Sequence, residues 1–233
     1  MRAKSSQLIL PAAGEGRRFG SHGPKALVPI TGVPLIVRTL NAFAELDLIE
    51  PVIVVAPEKY LKEFKAVLGQ TAAKDGFELV AGGSERQHSV RLGLEMLSPT
   101  AEFVIIHDAA RPFVSTEIIS QSIDAARAVG ASTVAIPCID TVLEADENQL
   151  LVSTPDRTRL WSCQTPQTFR VEIIRDAHKR AEREGLLATD DATLVRLAGG
   201  QVKLVPGSTR NIKITTPDDL LLAEHLVRNE SID

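Results

Sequence analysis

The chain has 233 residues, a length suited to one α/β domain or one domain with an appendage. Hydrophobic residues make up 44% and charged residues 24%, a balance that excludes a disordered or fibrous chain. With 26 Lys plus Arg against 30 Asp plus Glu, the net charge of −4 argues against a general nucleic-acid binder, although a few local cations suffice for a small anionic substrate.

Met1 to Ser6 lead into Leu8-Ile9-Leu10 after too little sequence for a signal or transit peptide. No apolar run reaches the roughly 18 residues needed to span a bilayer. Apolar, β-branched runs predict strands at residues 8–11, 52–56, 78–81, 103–107, 133–137 and 202–205. Several lack alternation, as strands covered on both faces do. Helical spacing lies between them: Ile36, Leu40 and Phe43 fall at i, i+4 and i+7, and so do Ile119, Ile123 and Ala126. The last helix carries its own start signal. Thr216 stands as N-cap, Pro217 in the first helical position and Asp219 three residues after the cap, with Leu220, Ala223 and Val227 on the buried face. This alternation predicts a Rossmann-like α/β fold, a single domain over residues 1–233 with a mostly parallel sheet and helices on both faces. Ligands bind at the carboxyl ends of the strands in such folds.

Residues 138–160 break the alternation. Residues 141–143 and 150–153 are predicted to pair as a hairpin across 145–148. A surface hairpin and a protruding β-arm that reaches a second subunit are both open readings. Two cysteines, Cys138 and Cys163, exclude a disulfide framework and a four-cysteine zinc site, and fit a reduced, cytoplasmic setting. Neither has a basic neighbourhood that would lower its thiol pKa, so both read as buried or bystander residues.

After the first strand comes Pro11-Ala12-Ala13-Gly14-Glu15-Gly16-Arg17-Arg18-Phe19-Gly20, followed by Pro24-Lys25. No Gly-Lys-Ser/Thr is present, which excludes a Walker loop. The dinucleotide fingerprint fails as well, because Phe19 stands at its third glycine position. What remains is a glycine cradle with two cations, Arg18 and Lys25. Backbone N–H groups in such a loop approach phosphate oxygens closely. Cations fixed there stabilise the charge that concentrates on an α-phosphate under attack.

Further motifs follow the other strands: Gly82-Gly83-Ser84-Glu85-Arg86-Gln87-His88-Ser89, then His107-Asp108-Ala109-Ala110-Arg111-Pro112-Phe113. Later come Asp140-Thr141, Asp156-Arg157, Gln164-Thr165-Pro166-Gln167-Thr168-Phe169, Thr189-Asp190-Asp191-Ala192 and Asn211-Ile212-Lys213-Ile214-Thr215. From residues alone, Ser84-Glu85 reads equally as the start of a capped helix. Asp108 reads as a Mg²⁺ ligand or as a helix N-cap. Asp190-Asp191 reads as a helix cap rather than a metal pair. His107 reads as packed or hydrogen-bonded, and Arg111-Pro112 as structural, with Arg111 facing a carboxylate.

In order and spacing this set resembles the 2-C-methyl-D-erythritol 4-phosphate cytidylyltransferases, from about Leu8 to Glu224. Two departures show: Ala26 follows Lys25 where the family usually has Gln, and Phe19 replaces a common Met. The resemblance implies CTP and a polyol phosphate as substrates. It gives Arg18 and Lys25 as transition-state cations, and Arg157 and Lys213 as residues that position the acceptor phosphate. Thr141 becomes an arm residue near that phosphate. Pro11, Ala12, Ala13, Gly14, Gly83, Ser84 and Ser89 become the cytidine pocket. Asp108 becomes the carboxylate beside the phosphates and a divalent ion, Mg²⁺. It also implies a homodimer whose arms exchange between active sites and, with the chain ending at Asp233, a monofunctional enzyme. The attacking phosphate is already anionic, its second pKa lying near ~6, so no general base is required. D-ribitol 5-phosphate cytidylyltransferases share the loop, the arm and the late lysine, but the runs from Asp108 to Pro112 and from Thr154 to Trp161 lean toward the methylerythritol enzymes. Retention of Arg18, Lys25, Arg157 and Lys213 argues against a non-catalytic nucleotide sensor, and the glycine spacing against a nicotinamide dehydrogenase.

Overall fold

The computed structural model describes residues 5–14, 23–71 and 76–230. Its strands are β1 (Ser6–Pro11), β2 (Pro29–Ile30), β3 (Val33–Pro34), β4 (Ile49–Ala56), β5 (Phe77–Ala81), β6 (Phe103–Ile106), β7 (Ala131–Pro137), β8 (Glu144–Ala145), β9 (Leu151–Ser153), β10 (Trp161–Arg170) and β11 (Lys203–Pro206). Its helices are α1 (Leu35–Asn41), α2 (Leu61–Leu68), α3 (Arg86–Glu95), α4 (Thr116–Val129), α5 (Val171–Glu184), α6 (Asp191–Leu197) and α7 (Pro217–Glu230).

Alternation along β1 divides the core. Leu8 and Leu10 join one cluster with Val54, Ala56, Ile105 and helix residues Ile36, Leu40, Phe64, Leu68, Ile119 and Ile123. Ile9 joins the opposite cluster with Ile53, Val55, Val104, Ile106 and helix residues Val90, Leu94, Ile174, Ala177 and Leu194. The two-residue period of a strand thus serves two apolar faces, each closed by its own helices. The main sheet runs β11-β7-β10-β6-β1-β4-β5. Every adjacent pair is parallel except those of β10, which is antiparallel to both β6 and β7. The mostly parallel sheet with helices on both faces agrees with the sequence reading.

One strand departs from that reading. β10 has the sequence Trp-Ser-Cys-Gln-Thr-Pro-Gln-Thr-Phe-Arg, a polar run with an internal proline, which argues against a central strand. The register shifts between Cys163 and Gln167, where Pro166 lies, so the sheet absorbs the missing donor. Its buried polar groups are paired with neighbouring elements: Gln167 Nε2 donates to Thr133 Oγ1 on β7 at 2.9 Å, and the Thr168 hydroxyl lies 2.7 Å from that of Ser122 on α4. The strand predicted at 202–205 lies at Lys203–Pro206, and the one predicted at 103–107 stops at Ile106.

Helix ends follow local chemistry. Ser115 Oγ accepts from Ile118 N at the start of α4, and Gly130 closes that helix at φ 95°, a left-handed value that disfavours a side chain. At α7, Thr216 Oγ1 accepts from Asp219 N, while Asp219 Oδ2 accepts from Thr216 N at 2.8 Å, a reciprocal capping box as read from the sequence. Leu220, Ala223 and Val227 then pack against Ile30, Leu35 and Ile214.

Residues 138–160 form the expected hairpin, with a correction. β8 and β9 pair with each other and not with the main sheet, and the first strand is 144–145 rather than 141–143. Asp146 sets this register, its Oδ1 accepting from both Asn148 N and Leu150 N at 2.9 Å. Ile139, Leu143, Leu150, Leu151 and Val152 are all exposed. Among the described residues no helix is long and apolar enough to cross a membrane.

Candidate active site

Four parallel strands end side by side, and the loops that leave them define a cleft. Pro11 to Gly14 follow β1, Pro57 and Glu58 follow β4, Gly82 to Glu85 follow β5, and Asp108 to Ala110 follow β6. With Lys25, Lys59, Arg86, Ser89, Lys213 and Thr215, these residues line a volume of about 1030 Å³. That is at the large end for a small-molecule site and leaves room for two substrates.

The first and third loops touch because Gly82 has no side chain. Its N–H donates to Ala56 O at 2.8 Å, and a Cβ there would strike Ala13 and press on Ser89 Oγ. Ser89 is buried and fixes the turn from inside, with Oγ accepting from Gly83 N at 3.1 Å and donating to Glu85 O at 3.0 Å. Ser84 is exposed at the cleft wall and does not cap α3, whose N-cap residue Glu85 makes no side-chain cap bond. The capped-helix reading of Ser84 therefore fails, because Ser89 supplies the oxygen that organises this turn.

Asp108 is the electrostatic centre. Oδ2 lies 2.7 Å from Lys213 Nζ and Oδ1 lies 3.1 Å from Arg86 Nε. Burial would raise its pKa, but Arg86 and Lys213 outweigh burial and hold the carboxyl far below its ordinary range. It is not a helix N-cap: its N–H donates to Thr165 Oγ1 at 3.1 Å, and α4 begins only at Thr116. Thr165 Oγ1 in turn is 3.1 Å from His107 Nδ1, and His107 Nε2 is 2.9 Å from Arg111 O. A carbonyl only accepts, so Nε2 carries the proton and Nδ1 accepts from Thr165. His107 is fully buried against Phe43, and burial drops its pKa to about 4. The packed, hydrogen-bonded reading of His107 is borne out.

Lys213 is pinned on both sides. Arg111 Nη1 donates to Asn211 O at 2.7 Å, and Ile214 N donates to Ala110 O at 2.9 Å. Arg111 is thus structural as expected, but it bonds carbonyl oxygens, of Asn211 and Cys163, rather than a carboxylate. Two carbonyls from separate chain segments are invisible to a reading that looks for opposite charge.

Arg86 belongs to a motif legible in the sequence, but its role appears only in the fold. It bridges Asp108 to Asp191, whose Oδ2 accepts from Nη1 at 2.7 Å. Burial opposes its charge, but the two carboxylates more than compensate and raise its pKa further above the ordinary arginine value. Asp190 is the N-cap of α6, as expected, accepting from Thr193 N at 2.8 Å. Asp191 is not a cap but a buried ion-pair partner. Sequence spacing carries no signal for a pair separated by 105 residues.

The cleft thus gathers Pro11, Ala12, Ala13, Gly14, Lys25, Gly83, Ser84, Ser89, Asp108 and Lys213. Arg18 lies outside the described residues. Thr141 and Arg157 are exposed on the arm and do not line the cleft of their own chain, and Arg157 Nη1 donates to Ile139 O at 2.7 Å. Cys163 is exposed and Cys138 half-buried, so of the two readings, buried or bystander, the structure leaves bystander. Among the described residues no group of three or more His, Cys, Asp or Glu could cage a metal. Asp108 alone suits Mg²⁺, which accepts one carboxylate when phosphate oxygens and waters complete its shell.

The family model for 2-C-methyl-D-erythritol 4-phosphate cytidylyltransferase matches residues 7–229. A relative of that name from Bacillus velezensis is 42% identical over 225 residues, covering 96% of each chain. Another, from Syntrophus aciditrophicus, is 44% identical over 225 residues, covering 95% of each. The crystal structure of 2-C-methyl-D-erythritol 4-phosphate cytidylyltransferase from Thermus thermophilus aligns with a TM-score of 0.79 at 37% identity, covering 96% of this chain and 99% of that one. A structure of 4-diphosphocytidyl-2C-methyl-D-erythritol synthase from Anaerococcus prevotii aligns with a TM-score of 0.85 at 29% identity, covering 97% and 96%. With the family model matching nearly its whole length, the chain belongs to the 2-C-methyl-D-erythritol 4-phosphate cytidylyltransferase family.

Proposed function

We propose that this chain joins CTP to 2-C-methyl-D-erythritol 4-phosphate, giving 4-diphosphocytidyl-2-C-methyl-D-erythritol and pyrophosphate. The observation that carries the reading is the meeting of Lys25, Lys213, the 11–14 loop and the 82–89 loop in one cleft at the carboxyl edge of the sheet. An acceptor phosphate oxygen attacks the α-phosphorus of CTP, the new P–O bond forms, and the bond to pyrophosphate breaks. The nucleophile is already ionised, so the protein's task is to bring two anions together in line. Lys25 and Arg18 neutralise charge on the triphosphate, Arg18 by the family resemblance. The 11–14 and 82–89 loops, with Gly83, Ser84 and Ser89, hold the cytidine. Lys213, tethered by its flanking backbone and resting on Asp108, has its ammonium in place to meet the acceptor phosphate. Bound Mg²⁺ would neutralise phosphate charge, and Asp108 is the residue that would hold it.

The reading takes the chain as one nucleotidyltransferase domain with residues 138–160 as a dimerisation arm. Thr141 and Arg157 lie outside their own cleft, and apolar side chains on the arm stand in solvent. Both features support a homodimer in which each arm completes the partner's acceptor site. A cytoplasmic enzyme acting on small phosphorylated metabolites is consistent with this. The test is pyrophosphate release with four nucleoside triphosphates against the methylerythritol phosphate and D-ribitol 5-phosphate. Turnover with CTP and the methylerythritol phosphate is expected; a preference for ribitol phosphate, or no turnover with CTP, overturns the reading.

A further inference from the structure

Asp108 is held by a chain of charges that starts outside the cleft. Asp191, the first residue of α6, has no exposed surface. Its Oδ2 accepts from Arg86 Nη1 at 2.7 Å, and its Oδ1 lies 3.1 Å from His178 Nε2 on α5. Gln167 Oε1 on β10 fixes the adjoining backbone, accepting from Asp191 N at 3.0 Å and from Ala192 N at 3.2 Å. Arg86 then spans to Asp108, donating from Nε to Oδ1 at 3.1 Å. Helix capping does not account for Asp191, because Asp190 caps α6. A buried carboxylate is costly unless it is paired, and Asp191 is paired on both oxygens, by Arg86 and by His178, so the three groups are fixed as a unit.

We propose that Arg86 is a positioning residue for the transfer reaction, anchored by Asp191 and His178, and that it fixes the Asp108 carboxylate with Oδ2 turned toward Lys213. The proposal rests on the cytidylyl-transfer reading above. A carboxylate that accepts on one oxygen from a free-swinging cation can rotate. Asp108 has its Oδ1 tied to a guanidinium that is itself clamped at another edge, so Oδ2 faces the cleft. Lys213 Nζ meets that oxygen at 2.7 Å. The planar arginine fork carries donors on separate edges and can serve both carboxylates at once, whereas a lysine at position 86 serves one point only. The orientation of the cleft carboxylate is thereby set by α3, α5 and α6, which pack on one face of the sheet.

The test compares wild type with Arg86→Lys, Asp191→Asn, His178→Leu and His178→Gln in the full chain. Pyrophosphate release gives kcat and KM for CTP and the methylerythritol phosphate, melting curves report folding, and crystal structures of the unliganded variants report the Asp108 carboxylate. Arg86→Lys and Asp191→Asn should lower kcat roughly 10- to 100-fold, the range for residues that orient a ligating group. KM for CTP should rise by a smaller factor than kcat falls, since Lys25, the 11–14 loop and Ser89 keep their places in the cleft. The crystals should show Asp108 Oδ2 turned away from Lys213. His178→Leu should share the loss, and His178→Gln, which can still donate to Asp191, should restore turnover. Folded Arg86→Lys and Asp191→Asn variants with kcat within about twofold of wild type, or with the Asp108–Lys213 contact unchanged, overturn the proposal. Should Asp191→Asn fail to fold, Arg86→Lys at the cleft wall decides alone. If wild type releases no pyrophosphate, the functional reading fails, and the crystal structures still decide whether Arg86 positions Asp108.

Discussion

The cleft and the arm present their side chains in opposite ways. In the cleft, Lys213 lies between two backbone anchors, Asp108 is bonded at both oxygens and through its N–H, and Ser89 is bonded as donor and as acceptor. On the arm, the Arg157 guanidinium donates only to a neighbouring backbone carbonyl, Ile139 O, among the described residues, and the apolar Leu151 is 63% exposed. On the dimer reading proposed above, geometry that one chain can enforce is already built, and geometry that would need a second chain is presented outward. If that reading holds, the two groups of substrate residues implied by the resemblance have separate origins, one set by the sheet edge and one by assembly.

The largest effect should come from removing a cleft cation. Lys213→Ala and Lys25→Ala should each reduce kcat roughly 10²-fold or more, the scale for losing one transition-state donor, with melting temperatures close to wild type. Steady-state kinetics on the two variants checks this. Near-normal turnover in Lys213→Ala would take it out of the reaction and leave its ion pair with Asp108 as a structural contact.

Mixing two inactive variants sharpens the comparison. If arms exchange, Lys25→Ala spoils a chain's own cleft and Arg157→Ala spoils its partner's. A heterodimer of the two then contains one intact site, so co-refolding equal amounts should recover roughly a quarter of wild-type activity. Activity no higher than that of the separate variants would put Arg157 in its own chain's site or outside the reaction, and would remove the case for exchange.

Legibility in the sequence divides along the same line. Strands with apolar runs, the α7 capping box and the Gly82 turn announce themselves because their causes lie within a few residues. β10 does not, because its buried Gln167 and Thr168 are satisfied by Thr133 and Ser122, partners on other elements. Arg86 stands in a legible motif without a legible role for the same reason, since Asp191 meets it only after the chain has wound round the sheet. The cleft residues are legible through motif order, yet spacing alone does not reveal that Ser89 works from beneath the turn.

His107 offers a smaller effect, on stability rather than turnover. Its folded pKa of about 4 lies below the ordinary value of 6.5. The unfolded chain therefore binds the extra proton first. The stability this site contributes is complete above the unfolded pKa and is lost as pH falls from 6.5 toward 4. Between pH 7 and pH 5 the loss should be about 2 kcal/mol, an order-of-magnitude figure from linkage. Urea unfolding at the two pH values should show it, and His107→Gln should flatten the difference while lowering stability at pH 7. An unchanged pH dependence in that variant would assign acid sensitivity to other groups.

The smallest effect tests whether the segment that carries Lys213 depends on the start of α7. Asp219 Oδ2 accepts from Thr215 N, Thr215 Oγ1 and Thr216 N, all within 2.8 Å, and closes the turn between Lys213 and α7. These bonds hold its pKa below the ordinary range against a burial effect of opposite sign. Asp219→Ala should cost about 1 kcal/mol, the usual worth of a helix cap, and lower the melting temperature by a few degrees. Because Arg111 and Ala110 hold the segment from the other side, kcat should fall by less than about threefold, far less than for Lys213→Ala. A loss of activity as large as that of Lys213→Ala, with folding intact, would mean that the capping box, rather than the Arg111 anchor, places the lysine in the cleft.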